Sequence, residues 1–171
     1  MEKMIKSDDH IQGPENASIE LIEYGDYQCP YCREAYFRIK EVQKQFGNDL
    51  RFAFRNFPIT SMHQFSLHAA LAAEAAGAQD KFWEMHDKLY ENQEYLEDTF
   101  LLEYAGELGL DTERFKKDFS DQRYYQKIKD DYESGIKMGI NGTPGFFLNG
   151  RLYAGDWTGE EFIRDLEAYI K

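Results

Sequence analysis

Residues 23–32, EYGDYQCPYC, decide how this chain folds, because they place both of its cysteines at the start of a helical pattern. Pro30 lies between Cys29 and Cys32 and suits a first helical turn, since it has no amide hydrogen to lose there. Apolar residues follow at helical spacing, which predicts a helix over about 30–46. We therefore expect the two cysteines at the entrance of a helix, one turn apart.

The segments on either side of this helix have the pattern of β-strands. Residues 18–24, SIELIEY, are mostly apolar and lead to the turn-forming Gly25, which predicts a buried strand. In residues 50–57, LRFAFRNF, apolar and charged side chains alternate until Pro58, which predicts a second strand. The first third of the chain thus has the order strand, helix, strand.

From about residue 64 to residue 139 the apolar residues follow the 3.6-residue period of helices. We expect several short helices there, separated by residues typical of helix ends: Gly77, Asp80, Asp98, Gly109 and Asp111.

The C-terminal part returns to strand chemistry. GFFLN at 145–149 ends in an Asn149-Gly150 pair, which favours a type I′ hairpin turn. Thr158 and Glu161 have the spacing of a capping box, which predicts a closing helix after them.

The order of these elements predicts an α/β fold with a central mixed β-sheet and a large all-helical insertion. We expect the sheet domain to comprise residues 1–61 and 140–171, and the inserted helical subdomain to comprise residues 62–139. The length of 171 residues fits one globular domain with such an insertion.

Composition and charge exclude several classes of function. The formal net charge is −12, so nucleic acids and anionic membrane surfaces should repel the protein. The sequence has no apolar run long enough to span a membrane and no visible secretory signal. With Met1 as the native start, these features predict a cytoplasmic protein that binds neither nucleic acid nor membrane.

The entrance of a helix favours the thiolate form of a cysteine, because unpaired amides and the positive end of the helix dipole face it. Cys29 is therefore the expected nucleophile. Cys32 lies one turn further on the core-facing side and is the expected resolving thiol. Attack of Cys29 on a disulfide would give a mixed disulfide that Cys32 then releases.

Glu23 lies six residues before Cys29, at the end of the first predicted strand, where its side chain could reach beneath the helix. Burial there would raise its pKa and suit it to take the proton of Cys32. The alternative is an ordinary surface carboxylate. Asp26 is a second nearby carboxylate, whose charge would oppose the thiolate.

Other interpretations of the two cysteines remain open. A permanent disulfide would close a very short loop and gain little entropy, and a zinc site would need further ligands at suitable spacing. A metal cluster shared by two chains is also possible. We expect no metal bound by one chain, and we expect His63 and His68 to be packed or capping side chains.

Pro144 follows Thr143 and precedes an apolar strand. The base rate of such bonds favours a trans peptide, whereas a cis bond would present the Thr143 backbone as an edge for an extended substrate.

The motifs EYGDYQCPYC at 23–32 and GTPGFFLNG at 142–150, with a helical block between them, resemble the DsbA-like family of thioredoxin-fold proteins. The resemblance covers essentially the whole chain and implies a thioredoxin-like fold. It also implies an exposed nucleophile at Cys29, a resolving Cys32, a buried acid at Glu23 and a cis Pro144.

The same resemblance implies that substrate binds beside the sulfur, at Pro30, Tyr31, Thr143 and Pro144. Strong oxidants of the family carry histidine between the cysteines, whereas Tyr31 supplies no positive charge. Thr143 before the proline is more similar to isomerases and some reductases.

We therefore expect a cytoplasmic thiol-disulfide oxidoreductase that leans towards reduction or isomerisation and needs no cofactor. Its expected partners are protein or small-molecule disulfides and thiols, together with an external thiol redox partner. We expect a monomer or a weak dimer.

Two alternatives remain open at this point. CPYC is also the glutaredoxin tetrapeptide, which favours a glutathione-dependent reductase, although a minimal glutaredoxin lacks so large a helical insertion. The other alternative is a redox-inert binding module that would hold a partner through an aromatic surface of Tyr24, Tyr27, Tyr31 and Phe57.

Overall fold

The computed structural model describes residues 4–170 and has a five-stranded mixed sheet with the strand order β1-β3-β2-β4-β5. The strands are β1 (His10–Gln12), β2 (Ile19–Gly25), β3 (Leu50–Asn56), β4 (Gly145–Leu148) and β5 (Arg151–Leu152). The helices are α1 (Pro30–Phe46), α2 (Ser66–Gly77), α3 (Phe82–Glu91), α4 (Asp98–Glu107), α5 (Thr112–Phe119), α6 (Gln122–Lys137) and α7 (Glu160–Glu167). This architecture confirms the predicted α/β thioredoxin-like fold with a mixed sheet and helical insertion.

Strand β2 is the centre of the sheet. It runs parallel to β3 and antiparallel to β4, and Glu23 is in register with Phe54 on one side and Phe146 on the other. Successive side chains of a strand point to opposite faces. Leu21 therefore packs in the same core cluster as Cys32, whereas Ile22 belongs to a second cluster on the other face.

Helix α1 begins at Pro30 and ends before Gly47, as the sequence predicted. The backbone of Gly47 has φ 52°, a left-handed conformation that glycine adopts at little cost. One stripe of α1 is buried against the sheet: Cys32, Ala35, Tyr36, Ile39, Val42 and Phe46. Each large apolar side chain in such a stripe contributes about 1.5–3 kcal/mol to folding, so this stripe fixes how the helix is rotated on the sheet.

The middle of the chain forms five helices, α2 to α6, which agrees with the helical period of the sequence. Helix α2 is unusual because alanines cover nearly all of its circumference and are buried on every side. Such small side chains let α2 pack closely against several of its neighbours at once. The division of the chain at residues 62 and 139 into two subdomains stays a prediction.

Several local details differ from the sequence analysis. Gly77 is the last residue of α2, whose C-cap is Ala78, and the N-cap of α3 is Lys81 rather than Asp80. Strand β1 was not predicted, because its three residues are too few to show alternation and it forms only by antiparallel pairing with β3. Asp98 is the first residue of α4 rather than its cap. Thr158 does not cap α7; Gly159 holds that position, and the Thr158 hydroxyl donates to Asp156 instead.

The hairpin at the C-terminal end is as expected. Asn149 and Gly150 have φ 45° and 82°, the left-handed values that a type I′ turn requires. Within residues 4–170, no helix combines the length and the apolar character needed to cross a membrane.

Candidate active site

Both cysteines lie at the tip of α1, as the sequence predicted. Cys29 is the N-cap residue, with extended backbone angles of φ −72° and ψ 123°, and Pro30 is the first helical residue. Neither cysteine is in a disulfide. The Cys29 residue is only 5% exposed, so it is less accessible than the exposed nucleophile that the family resemblance implied. Its sulfur contacts the loop before β4, where it lies 3.7 Å from the carbonyl oxygen of Thr143.

Hydrogen bonds lower the pKa of Cys29 from an ordinary value of 9.0 to about 5. The largest cause is the hydrogen bond from the Cys32 thiol; burial opposes it, and the Thr143 side chain and the amides of Cys32 and Tyr31 add to it. The amides belong to the first turn of α1, where backbone N–H groups lack helical partners. The fold therefore keeps the outer sulfur as a thiolate at neutral pH.

Cys32 has the opposite environment. Burial is the largest cause that raises its pKa well above the ordinary value, and its hydrogen bond to Cys29 and the charge of Glu23 act in the same direction. The amide of Asp26 donates to the Cys32 sulfur at 3.4 Å, which offsets only part of this effect. The two cysteines thus differ in protonation: Cys29 at the helix tip is a thiolate, and the buried Cys32 is a protonated thiol.

Glu23 is buried on the face of β2 that α1 covers, with only 1% of the residue exposed. The alternative of a surface carboxylate is therefore wrong. Burial, with a smaller contribution from the charge of Cys29, raises the pKa of Glu23 to about 8. Its Oε1 atom finds no hydrogen-bond partner among the residues that the structure describes. A carboxyl group with these properties can exchange a proton near neutral pH.

The Thr143-Pro144 peptide bond is cis, so the trans base rate does not hold here. Both residues are partly exposed, and the bond lies beside the Cys29 sulfur. At the helix tip next to Cys29, Pro30 is exposed and Tyr31 is 64% exposed. The structure thus brings all four predicted substrate-binding residues to the rim around one sulfur.

Asp26 does not lie free beside the thiolate, although the sequence suggested that its charge would act there. Its carboxylate is buried and accepts hydrogen bonds from the amides of Gln28 and Ile59, each at 2.8 Å. The same carboxylate contacts Nδ1 of His63 at 2.9 Å. His63 is thus a packed side chain, as expected, but it holds the loop that carries the nucleophile.

Gln93 is a site residue that sequence reasoning missed. It lies between α3 and α4, and its side-chain amide donates to the carbonyl oxygens of Tyr27 and Cys29 at 2.9 and 2.8 Å. This contact joins the helical insertion to the backbone of the nucleophile. Nothing in a single sequence signals it, because a polar residue between two helices usually faces solvent.

The aromatic surface expected for a binding module is absent from the described residues. Tyr24, Tyr27 and Phe57 are at most 2% exposed and pack in the core, so Tyr31 is the one exposed residue of these four. Among residues 4–170, no three histidine, cysteine, aspartate or glutamate side chains are grouped closely enough to hold a metal ion.

Comparison with known proteins places this geometry in context. A family model described as thioredoxin, Thioredoxin_4, matches residues 6–168. The structure of a thioredoxin-like oxidoreductase from Silicibacter pomeroyi DSS-3 is similar with a TM-score of 0.83 and 28% identity, over 95% of this chain and 92% of that one. The thiol-disulfide exchange protein α-DsbA2 from Wolbachia pipientis shares the fold with a TM-score of 0.83 and 22% identity, over 96% and 88% of the chains.

Among the sequence relatives is a much longer protein, which is named as an antiporter and not as a thioredoxin. Na(+)/H(+) antiporter NhaA 1 of Mycobacterium sp. (strain KMS) is 41% identical over 162 residues, which are 94% of this chain but only 26% of that protein. The chain thus spans about a quarter of the length of the curated relatives it matches. These relatives overturn the expectation of a cytoplasmic protein. Sequences of this kind occur inside longer proteins, so a missing N-terminal signal says nothing about compartment.

Proposed function

The chain belongs to the thioredoxin family whose model it matches over residues 6–168, and on this basis we propose that it is a DsbA-like thiol-disulfide oxidoreductase. It would exchange a Cys29–Cys32 dithiol or disulfide with protein substrates through a mixed disulfide. The observation that carries the proposal is that the pKa values of the two thiols are shifted in opposite directions. The pKa of Cys29 is lowered to about 5, while that of Cys32 is raised.

In the first step the Cys29 thiolate attacks one sulfur of a substrate disulfide. A bond forms between Cys29 and that sulfur, the substrate S–S bond breaks, and the other substrate sulfur leaves with the electron pair and takes a proton from solvent. The lowered pKa of Cys29 supports this role, because the thiolate is the nucleophilic form.

In the second step Cys32 resolves the mixed disulfide. Its thiol gives a proton to the Glu23 carboxylate, and its sulfur bonds to the sulfur of Cys29. The substrate sulfur leaves with the bond electrons and takes a proton from solvent. The protein pair is then oxidised by two electrons and the substrate disulfide is reduced to two thiols. The burial of Glu23 and its raised pKa support this proton transfer.

Thr143 and Pro144 are the proposed binding edge for an extended substrate, with Pro30 and Tyr31 at the helix tip. The partial exposure of Thr143 beside the sulfur supports this assignment, since an accessible backbone edge can pair with a peptide. Small-molecule thiols and disulfides and an external thiol redox partner complete the proposed set of partners. A monomer or weak dimer stays a prediction.

For the direction of exchange, we propose reduction or isomerisation rather than strong oxidation. A thiolate pKa near 5 lies between those of thioredoxin, about 7, and of the strong oxidant DsbA, about 3.5. The reduction potentials of those two proteins are about −270 and −120 mV, and we expect the potential of this pair to lie between them.

The proposal is tested by insulin reduction with the intact protein and two cysteine variants. We expect Cys29→Ser to abolish turnover, and Cys32→Ser to accumulate a mixed disulfide that mass spectrometry detects on Cys29. Ordinary turnover in both variants contradicts the mechanism.

The electron donor separates the alternatives. Turnover with dithiothreitol and also with glutathione supports the proposed function. Strict dependence on glutathione favours the glutaredoxin-like reductase, and no turnover with either donor favours the binding module.

A further inference from the structure

Tyr90, in α3, has a hydroxyl group that this mechanism leaves without a role. Its side chain is fully buried, and the hydroxyl oxygen has no hydrogen-bond partner within the described part of the chain. The neighbouring hydroxyl of Tyr36, by contrast, donates to Glu91. Because an unsatisfied buried hydroxyl is costly, its position needs a physical reason.

The Tyr90 hydroxyl lies against β2 on the side that α1 covers. A β-carbon on Gly25 would lie 3.1 Å from this oxygen and 2.5 Å from the Phe54 ring, so glycine is what permits the close approach. Gly25 follows Glu23 by two residues in the same strand, and the two therefore share one face of the sheet. The residue after Gly25 donates its amide hydrogen to the sulfur of Cys32.

Two unsatisfied polar atoms from different elements thus face the buried region beneath Cys32: the Tyr90 hydroxyl and Oε1 of Glu23. Burial is the largest cause that raises the pKa of Tyr90, and interactions with Cys32 and Glu23 come next, which agrees with this proximity.

Two cations lie at the edge of this region: Arg33 donates to the backbone carbonyl of Tyr90 at 3.0 Å, and Lys40 lies over the Tyr36 ring. Neither of them is among the main causes that shift the pKa of Glu23 or of Tyr90. The other titratable groups are Cys32 and Tyr36 from α1, Cys29 at its N-cap, Asp26 and Tyr27 from the loop before α1, and His86 from α3. Strands β3 and β4 present Phe54 and Phe146. Burial lowers the pKa of His86 well below its usual value, so its ring is neutral.

We propose that Tyr90 is a positioning residue for the resolving step: its hydroxyl donates a hydrogen bond, through one water molecule, to the Glu23 carboxylate that takes the proton of Cys32. The inference rests on the proposed oxidoreductase function and adds a residue to it. A hydrogen bond to the ionised carboxylate lowers its pKa. Tyr90 therefore increases the fraction of Glu23 that can act as a base at neutral pH.

The test follows both thiols in one reaction with an aromatic disulfide, dithiobis(nitrobenzoate), in rapid-mixing experiments across a range of pH. Attack by Cys29 releases one coloured aryl thiolate and leaves the second attached to Cys29. Resolution by Cys32 forms the protein disulfide and releases the second aryl thiolate. The first phase thus reports Cys29, and the second reports Cys32 with its base.

We expect Tyr90→Phe to slow the second phase by about three- to tenfold at neutral pH and to move its pH midpoint upward by about 0.5–1 unit. The first phase should keep its rate. Tyr36→Phe is the matched control, because its ring stacks on Tyr90 at 5.3 Å while its hydroxyl bonds to Glu91. In a Glu23→Gln background, adding Tyr90→Phe should change neither phase further.

An unchanged second phase in Tyr90→Phe overturns the proposal, and so does an equal change in both phases. Tyr90→Leu offers a second way to remove the hydroxyl if the phenylalanine variant folds poorly, and the same two results count against the proposal there. A missing second phase in the unsubstituted protein, by contrast, overturns the oxidoreductase function itself.

Discussion

Two glutamates of this protein are buried to a similar degree but have opposite surroundings. Glu23, in β2, is 1% exposed, and Glu74, in α2, is 4% exposed. Burial tends to raise the pKa of both. At Glu74 the hydrogen bonds and charge of His10, with the charge of Lys127 and a hydrogen bond from Asn56, outweigh burial and lower the pKa. At Glu23 no such cation compensates, and the pKa rises to about 8.

The difference teaches that partners, and not burial alone, decide the protonation state of a buried carboxyl group. The Glu74 contacts join β1, β3 and α6 to α2, so an ionised carboxylate there holds four elements together. Glu23 has no comparable structural role. A carboxyl group kept free of cations retains a proton that it can exchange, which suits the proposed chemistry beside Cys32.

The same substitution at both sites should give the largest contrast in stability. Glu74→Gln removes the negative charge that faces His10 and Lys127, and we expect it to cost about 3–5 kcal/mol of unfolding free energy. Urea unfolding at neutral pH measures this loss. Thiol reactivity of the folded variant should be normal, and an unchanged unfolding free energy would contradict the structural role of Glu74.

Glu23→Gln should have the opposite effect on stability and increase the unfolding free energy at alkaline pH. The raised pKa of Glu23 gives the sign of this effect. Between about 4.5, the ordinary pKa, and about 8, the folded protein keeps the Glu23 proton that the unfolded chain has lost. The stability from this group is therefore fully present below about 4.5 and is lost as the pH rises through 8. We expect Glu23→Gln to remove this decline and to be more stable than the parent above pH 8, by a few kcal/mol.

Unfolding in urea at several pH values measures this effect, in a Cys29→Ser background. That background removes the thiolate, whose lowered pKa makes stability increase between about 5 and 9 and would mask the decline. Glu74 supplies the internal reference. Because its pKa is lowered, its contribution is present above the ordinary pKa and is lost as the pH falls. If the unfolding free energies of Glu23→Gln and Glu74→Gln depended on pH in the same way, the proposed difference between the two sites would be wrong.

The smallest expected effect is a shift in the pKa of the Cys29 thiol. Alkylation of Cys29 by iodoacetamide should have a pH midpoint near 5, and Cys32→Ala should raise that midpoint by about 1–2 units, because the largest hydrogen bond to the thiolate is lost. Cys32→Ser, which keeps a donor, should shift it less. A midpoint near 9 in the parent protein would show that the helix tip does not stabilise the thiolate.

Much of the fold could be predicted from the sequence, because its strongest signals are local. The spacing of apolar residues and Pro30 gave the bounds of α1, and Asn149-Gly150 gave the hairpin. Strand β1 could not be found in this way, since three residues carry no period and gain their structure only from pairing with β3. The supposed capping box at Thr158 failed because Asp156 takes its hydroxyl.

The residues of the candidate site also fall into two groups, those that the sequence identified and those that only the structure revealed. Cys29, Cys32, Glu23 and Pro144 could be singled out from two short motifs, and the structure brings them together. Gln93 and Tyr90 could not, because both belong to the helical insertion and meet the motif only when that block packs against α1. The orientation of Asp26 depended likewise on amides and on a histidine from another loop.

The sequence by itself determined which residues could carry thiol chemistry and where the helix beneath them begins, because spacing and backbone chemistry act over a few neighbouring residues. The tertiary structure decided the protonation states of these residues. It left Glu23 without a cation, gave Glu74 several partners, and turned Thr143 towards the sulfur of Cys29. Protonation depends on groups that are distant in the chain but adjacent in space, and only the packed fold brings those groups together.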